Sequence, residues 1–269
     1  MNKTHLSHLL RTFGLLKFAD YAQFLVHKRR NREKNRIFVE QNPNIALPPD
    51  YLLYESFGLD YAQYYDASRE TAKRLIASWE KYLDLENASI LDWGCGPARI
   101  VRHLPELLAE KNVTLYGTDY NVASIRWCNE HIPNVAFNRN QLVPPLPYPE
   151  RTFDVIYGIS IFTHLSETLH SLWFEELWRI AKPKGIMYLS THGEATKIRL
   201  TESEKRHFDA GQLVIRGQTT NGHRTFTAYH PPSYVEHLFS LLPTTILEHR
   251  EGQILNGKPQ QDIWIVQKM

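Results

Sequence analysis

An α/β fold is predicted for this chain: a seven-stranded, mostly parallel sheet with helices on both faces and a reversed last strand. Three features carry the expectation. Strand-like and helix-like runs alternate from residue 68 to residue 193. A glycine pair follows the first strand-like run in "ASILDWGCGPARIVR" (88–102). The chain finishes with two strand-like runs joined by a short Gly/Pro turn. Alternation of this kind makes successive strands parallel and covers both faces of the sheet. A short turn between neighbouring strands makes them antiparallel.

In order, a helix is expected through "SRETAKRLIASWEKYL" (68–83), then strand "ASILDWG", helix "ARIVRHLPELLAE", strand "VTLYGTD" and helix "VASIRWCNEHI". Strands "VAFN" and "FDVIYGIS" follow, then helix "ETLHSLWFEELWRIA" and strand "GIMYLSTHG". Beyond His192 the rhythm changes. "GQLVIRGQTTNGHRTFTAYH" reads as two β runs around a hairpin signal, an insertion near 211–230 that folds over one end of the sheet. Helix "PPSYVEHLFSLL", strand "TTILEHREG", a turn at "NGKPQ" and strand "QDIWIVQKM" complete the pattern. The three prolines of "NPNIALPPDYLLYESFG" (42–58) mark a connector lying over the core. These boundaries give a basic helical extension over residues 1–45 and one domain over 46–269.

Composition narrows the function classes. With 269 residues, 42% hydrophobic and 22% charged, the chain can bury a full core. No apolar run is long enough to span a membrane, and Arg11, Lys17 and Asp20 interrupt any secretory signal, so a cytoplasmic protein is expected. Two cysteines, Cys95 and Cys128, fit neither a disulfide framework nor a metal-ligand spacing, and no other cluster indicates a metal. The net charge of +2 is uneven: residues 1–40 hold nine Lys/Arg against three Asp/Glu. Apolar residues at helical spacing followed by Lys28, Arg29, Arg30, Arg32, Lys34 and Arg36 suit a peripheral membrane contact or a nucleic-acid contact. They equally suit a helix packed on the domain with a solvated basic end.

The glycine loop selects among ligands. Counted from Gly94, Gly96 fills the third position of a dinucleotide fingerprint, but Arg99 stands at the sixth. Asp92 at the strand end would repel a pyrophosphate and attract a cation. Asp119 follows Asp92 by 27 residues, one strand-helix-strand unit, so both carboxylates fall at the C-terminal sheet edge where ligands of open α/β sheets bind.

At these residues the sequence resembles the class I S-adenosylmethionine-dependent methyltransferases, of the bacterial small-molecule type, from about residue 50 onward. "LDWGCGPA" is similar to their first motif, with Ala98 where a third glycine is common. "LYGTDYN" is similar to the second, whose acidic residue holds the ribose hydroxyls. "ELWRIAKPKG" resembles the R-x-x-K-P-G-G turn, with Lys184 replacing one glycine. The resemblance implies a Rossmann-like sheet and S-adenosyl-L-methionine as cofactor. Its contacts would be Asp92, Gly94, Cys95, Gly96, Asp119, Tyr120, Asn140 and Ser160. The aspartate common near the adenine is absent, since "FNRNQL" offers only Asn138, Asn140 and Gln141.

Methyl transfer to an alcohol needs a proton acceptor, a task suited to histidine. His164 in "SIFTHL" and His192 in "LSTHG" are the candidate catalytic residues at the cofactor edge, each equally readable as structural; His223 and His230 flank the hairpin. Tyr51, Tyr54, Tyr61, Tyr64 and Tyr65 either cover the site or cap the core. Gly158-Ile159-Ser160 stands where enzymes methylating base amino groups carry an Asp/Asn-Pro-Pro-Tyr/Phe run, which disfavours that chemistry. O-methylation of a small-molecule or saccharide acceptor is expected. The alternatives are a cofactor-binding protein without catalysis, or a methyltransferase acting on RNA or protein recruited by the basic N-terminus.

Overall fold

The computed structural model describes residues 16–217, 222 and 226–269. Four helices lead: α1 (Leu16–Arg30), α2 (Arg32–Gln41), α3 (Asp50–Phe57) and α4 (Tyr61–Trp79). Strands β1 (Ser89–Trp93), β2 (Thr114–Asp119), β3 (Ala136–Arg139), β4 (Phe153–Gly158) and β5 (Ala181–Thr191) then alternate with α5 (Leu104–Leu107), α6 (Val122–His131) and α7 (Glu167–Ile180). After α8 (Glu202–Asp209) come the antiparallel strands β6 (Val214–Arg216) and β7 (Thr227–Tyr229), then α9 (Pro232–Ser240). The chain closes with β8 (Thr244–Arg250), the small pair β9 (Ile254–Leu255) and β10 (Lys258–Pro259), and β11 (Asp262–Lys268).

Seven strands form one sheet in the order β3-β2-β1-β4-β5-β11-β8. The pairs among β1 to β5 are parallel, and β11 runs antiparallel to both β5 and β8. The expected reversed strand is therefore present, inserted between its two neighbours. Alternation along each strand divides the core. Ile90, Val155, Ile186 and Ile265 pack on one face with Leu75, Trp79, Ile125 and Trp127. Their chain neighbours Leu91, Ile156, Met187 and Trp264 pack on the other with Trp173, Phe174, Leu177 and Phe239.

Two expectations are corrected. The helix foreseen over 98–110 is only α5 flanked by 3₁₀ turns at Val101–His103 and Ala109–Lys111. Pro105 sits at the start of α5, where its missing N–H does no harm, and Asn112 ends the segment with φ +50°. The connector over 42–58 contains α3. Its start is Pro49 then Asp50, and Gly58, at φ +70°, stops it while its N–H bonds to the Tyr54 carbonyl at 3.1 Å. Helix α1 packs on α3: Phe24 joins Leu53, Tyr54, Leu59 and Tyr64 in a separate apolar cluster. Buried Asn35 in α2 donates to the Leu59 carbonyl and accepts from the Tyr61 N–H.

Both departures from the resembled motifs sit in left-handed backbone. Ala98 takes φ +56° and Lys184 φ +64°, so the chain keeps the turn that glycine makes easily while carrying a side chain there. No helix among the described residues is long and apolar enough to cross a membrane.

Candidate functional site

The C-terminal ends of β1, β2 and β4 open onto a cavity of ≈ 270 Å³. Its floor is the loop after β1. Gly94 turns with φ +75°, and a Cβ there would lie 2.1 Å from Ile161 Cδ1, so only glycine fits. The Gly94 and Cys95 amides donate to the Thr118 carbonyl at 2.8 and 3.0 Å, and the Gly96 amide donates to Asp119 Oδ2 at 2.9 Å. A phosphate cradle needs such amides aimed at the ligand. Here all three are engaged within the protein, which disfavours a dinucleotide.

Asp119 ends β2 at the cavity wall. Its Oδ1 accepts from the Asn121 amide at 2.7 Å, and the Tyr120 amide adds its pull on the same carboxylate, which still has acceptor capacity left. Burial pushes its carboxyl up from the ordinary range, against the pull of its backbone donors. Across the cavity stands Glu55 of α3, also pushed up, first by burial and then by the Asp119 charge. Asn140 lines the wall, but its side chain accepts from Thr118 Oγ1 at 2.9 Å and donates to the Gln141 carbonyl. Tyr120 donates to the Gly222 carbonyl at 3.0 Å. Cys95 reaches the wall from a buried position.

Ser160 closes the end of β4 in left-handed backbone, φ +67°. Its amide donates to Ser190 Oγ and its hydroxyl accepts from Gln261 Nε2 at 2.8 Å, while Ser190 donates to Gln261 Oε1. His164 lies on the same wall in the 3₁₀ turn Phe162–His164. Its Nδ1 sits 2.7 Å from the Phe226 carbonyl, which only accepts, so Nδ1 carries the proton and Nε2 is the basic nitrogen.

Two expected residues lie off the wall. Asp92 does not face the cavity: it is buried behind the loop beside Arg99, and burial raises its pKa to about 7. The Tyr157 hydroxyl lies nearby without completing a hydrogen bond of normal geometry. Arg99 itself reaches the cavity. His192 is buried under β7, stacked on Tyr229 with Nδ1 3.1 Å from the Ala228 carbonyl, and burial lowers its pKa to about 4. This corrects its expected place at the cofactor edge, because the hairpin covers it. His230 is buried against His170, their Nε2 atoms 3.2 Å apart, and His223 falls outside the described residues. None of the five tyrosines lines the cavity; Tyr64 instead donates to the Pro97 carbonyl at 2.6 Å, bracing the loop from behind.

Residues 90–185, the span that runs from β1 through this loop into the start of β5, match the family described as "Methyltransferase domain". That span is a methyltransferase domain by its match, and the fold is the one that S-adenosylmethionine-dependent methyltransferases share. The chain is 22% identical over 175 residues to a malonyl-[acyl-carrier protein] O-methyltransferase of Bacillus cereus, covering 65% of this chain and 63% of that one. It is 27% identical over 128 residues to a sterol 24-C-methyltransferase of Pneumocystis carinii, covering 45% and 33%. The chain thus spans less than two thirds of the length of these curated relatives. Among solved structures, an S-adenosylmethionine-dependent methyltransferase of Methanosarcina mazei aligns with TM-score 0.54 and 20% identity over 71% of this chain and 96% of that one. The magnesium protoporphyrin IX methyltransferase of Synechocystis, with bound S-adenosylhomocysteine, aligns with TM-score 0.52 and 13% identity over 75% and 83%. Both likenesses are of fold. The wall residues Glu55, Arg99 and Leu142 are not marked as contacts by the sequence.

Proposed function

We propose that this domain transfers a methyl group from S-adenosylmethionine to an oxygen of a small-molecule or saccharide-like acceptor. The donor set suits the cofactor: two carboxylates, an arginine and a loop whose amides are engaged elsewhere favour a cationic, phosphate-free ligand. Asp119 would accept from the ribose hydroxyls with the lone pairs its backbone donors leave. The backbone from Gly94 to Gly96, Tyr120, Asn140 and Ser160 would line the cofactor, and Arg99, with Asp92 behind it, would meet the carboxylate of its amino-acid end.

When bound, S-adenosylmethionine supplies an electrophilic methyl group. The chain's own part is alignment of the acceptor and removal of its proton. His164 is the observation that carries the oxygen acceptor: it is the histidine on the wall among the described residues, and its Nδ1 donates to the Phe226 carbonyl, so Nε2 is the nitrogen that would take a proton from a hydroxyl. His192 is withdrawn as a base, since it is enclosed by the hairpin. We also treat residues 1–45 as an extension carried on a domain spanning 46–269.

The test is incubation of the full chain with methyl-labelled S-adenosylmethionine and fractionated small-molecule extract. The expected result is S-adenosylhomocysteine in step with a labelled acceptor whose methyl sits on oxygen. Tight S-adenosylhomocysteine binding without turnover in any fraction would instead favour a cofactor-binding protein.

A further inference from the structure

Helix α1 turns its inward positions, Asp20, Phe24 and His27, to the domain, and Asn31, just past its end, continues that side. Phe24 packs on Tyr51 and Tyr54 at ring separations of 5.3 and 5.4 Å. Asp20 accepts from Tyr54, the His27 ring bonds the Gly58 carbonyl, and Asn31 donates to the Leu59 carbonyl. That contact fixes the helix and explains its inner face. The opposite face is unexplained by it. At 100° per residue, Ala22, Leu25, Val26 and Arg29 point away from the domain. Leu25 and Val26 are 48% and 63% exposed, with Tyr21 at 55% on the flank. One turn on, Arg29 and Arg30 are exposed and form no ion pair among the described residues, whereas Lys28 is held by Asp50 at 2.9 Å.

Basic residues at a helix C-terminus complement its dipole, which accounts for Arg29 and Arg30 as charges. It does not account for two adjacent aliphatic side chains in water beside them. A surface helix with one apolar face needs one burial partner; this helix has apolar residues on two faces and, among the described residues, a partner for one.

We propose that the outward face of α1 docks on an anionic lipid surface, with Leu25, Val26 and Tyr21 entering the headgroup boundary and Arg29 and Arg30 meeting lipid phosphates. Aliphatic side chains at the centre of the face select a lipid over a nucleic-acid backbone, which offers them no apolar environment. The basic turn selects an anionic surface over a second copy of this chain, because the outward positions of α1 present no carboxylate to receive it. Docking there does not depend on the methyl-transfer reading. It would place the lipid about one helix diameter, about 10 Å, from α3, which supplies Leu52 and Glu55 to the cavity.

The test is co-sedimentation of the full chain with phosphatidylglycerol–phosphatidylcholine vesicles and with pure phosphatidylcholine vesicles. Binding is expected only to the anionic vesicles. Each basic side chain at such a surface contributes about fivefold, so R29A/R30A together should weaken partitioning by about 25-fold. L25S/V26S should weaken it as well, with circular dichroism and S-adenosylhomocysteine affinity unchanged in both. Equal binding to neutral vesicles, or full binding by R29A/R30A, overturns the proposal. So does a concentration-dependent dimer that L25S/V26S abolishes without any vesicle binding, or RNA binding in place of vesicle binding.

Discussion

Replacing Asp92 by Asn removes a carboxyl that the fold holds near neutrality while keeping its shape. Burial raises this group from 3.8 to about 7, opposed by the Tyr157 hydroxyl, the Arg99 charge and the Val101 amide and assisted by Asp119. The folded chain therefore binds the proton more tightly than the unfolded chain. Stability from this group is full below 3.8, where both states are protonated, is lost progressively as pH rises from 3.8 to about 7, and is gone above that, where both states are ionised. Between about pH 5.5 and about pH 8 the loss runs over about 1.5 pH units up to the folded value, where only the unfolded chain is ionised, and comes to about 2 kcal/mol at 1.36 kcal/mol per unit. His103, His170 and His192, each lowered by burial to about 4, act with the opposite sign, favouring the fold as pH rises. They are common to both chains and cancel in the difference. The assay is urea denaturation of wild type and Asp92→Asn at the two pH values. The variant's stability relative to wild type should rise by about 2 kcal/mol on going to the higher pH, or about 4 °C in Tm for a chain of this size. Parallel pH profiles would mean that Asp92 is already charged in the fold, its burial offset by Arg99. A relative loss for the variant at the higher pH would mean that Arg99 depends on that charge.

Asp119→Ala should weaken S-adenosylhomocysteine binding about ten- to hundredfold per charge-assisted bond lost, each worth about 1.5–3 kcal/mol, as read by titration calorimetry. His164→Gln should lower turnover by about 10²–10⁴ with cofactor affinity intact, whereas His192→Gln should lower the melting temperature with little specific effect on turnover at temperatures where it is folded. Lys184→Gly relieves left-handed strain of about 1–2 kcal/mol at an exposed site and costs about 0.5–1 kcal/mol in chain freedom, so thermal melting should show a gain of about 0.5–1 kcal/mol. Ala98→Gly also loses a buried methyl worth about 0.8 kcal/mol and should be near neutral.

Strand runs and the glycine loop were legible because their signals are local: Ile90-Leu91 and Ile156-Tyr157 must face two covered sides, and Gly94 must turn where a Cβ would strike Ile161. The residues missed depend on packing between distant segments. Glu55 was hidden in a stretch whose prolines suggested a connector, although Pro49-Asp50 at one end and Gly58 at the other are start and stop signals for a helix. His192 was set at the cofactor edge by strand position, and only the arrival of β7 encloses it. Asp92 follows the same rule in reverse: its strand end is at the edge, but its carboxyl is buried beside Arg99 and off the cavity wall.

The insertion of β11 between β5 and β8 ties sheet assembly to the order of synthesis. On the ribosome, β1 to β5 emerge with the partners they need, but β5 then presents an open edge and β8 has no neighbour until residues 262–268 are released. A nascent chain paused before that point holds two unpaired strand edges, the condition that recruits chaperones or seeds aggregates. Yield in cells should accordingly be more sensitive to stop codons just before Asp262 than to changes at the basic N-terminal helix.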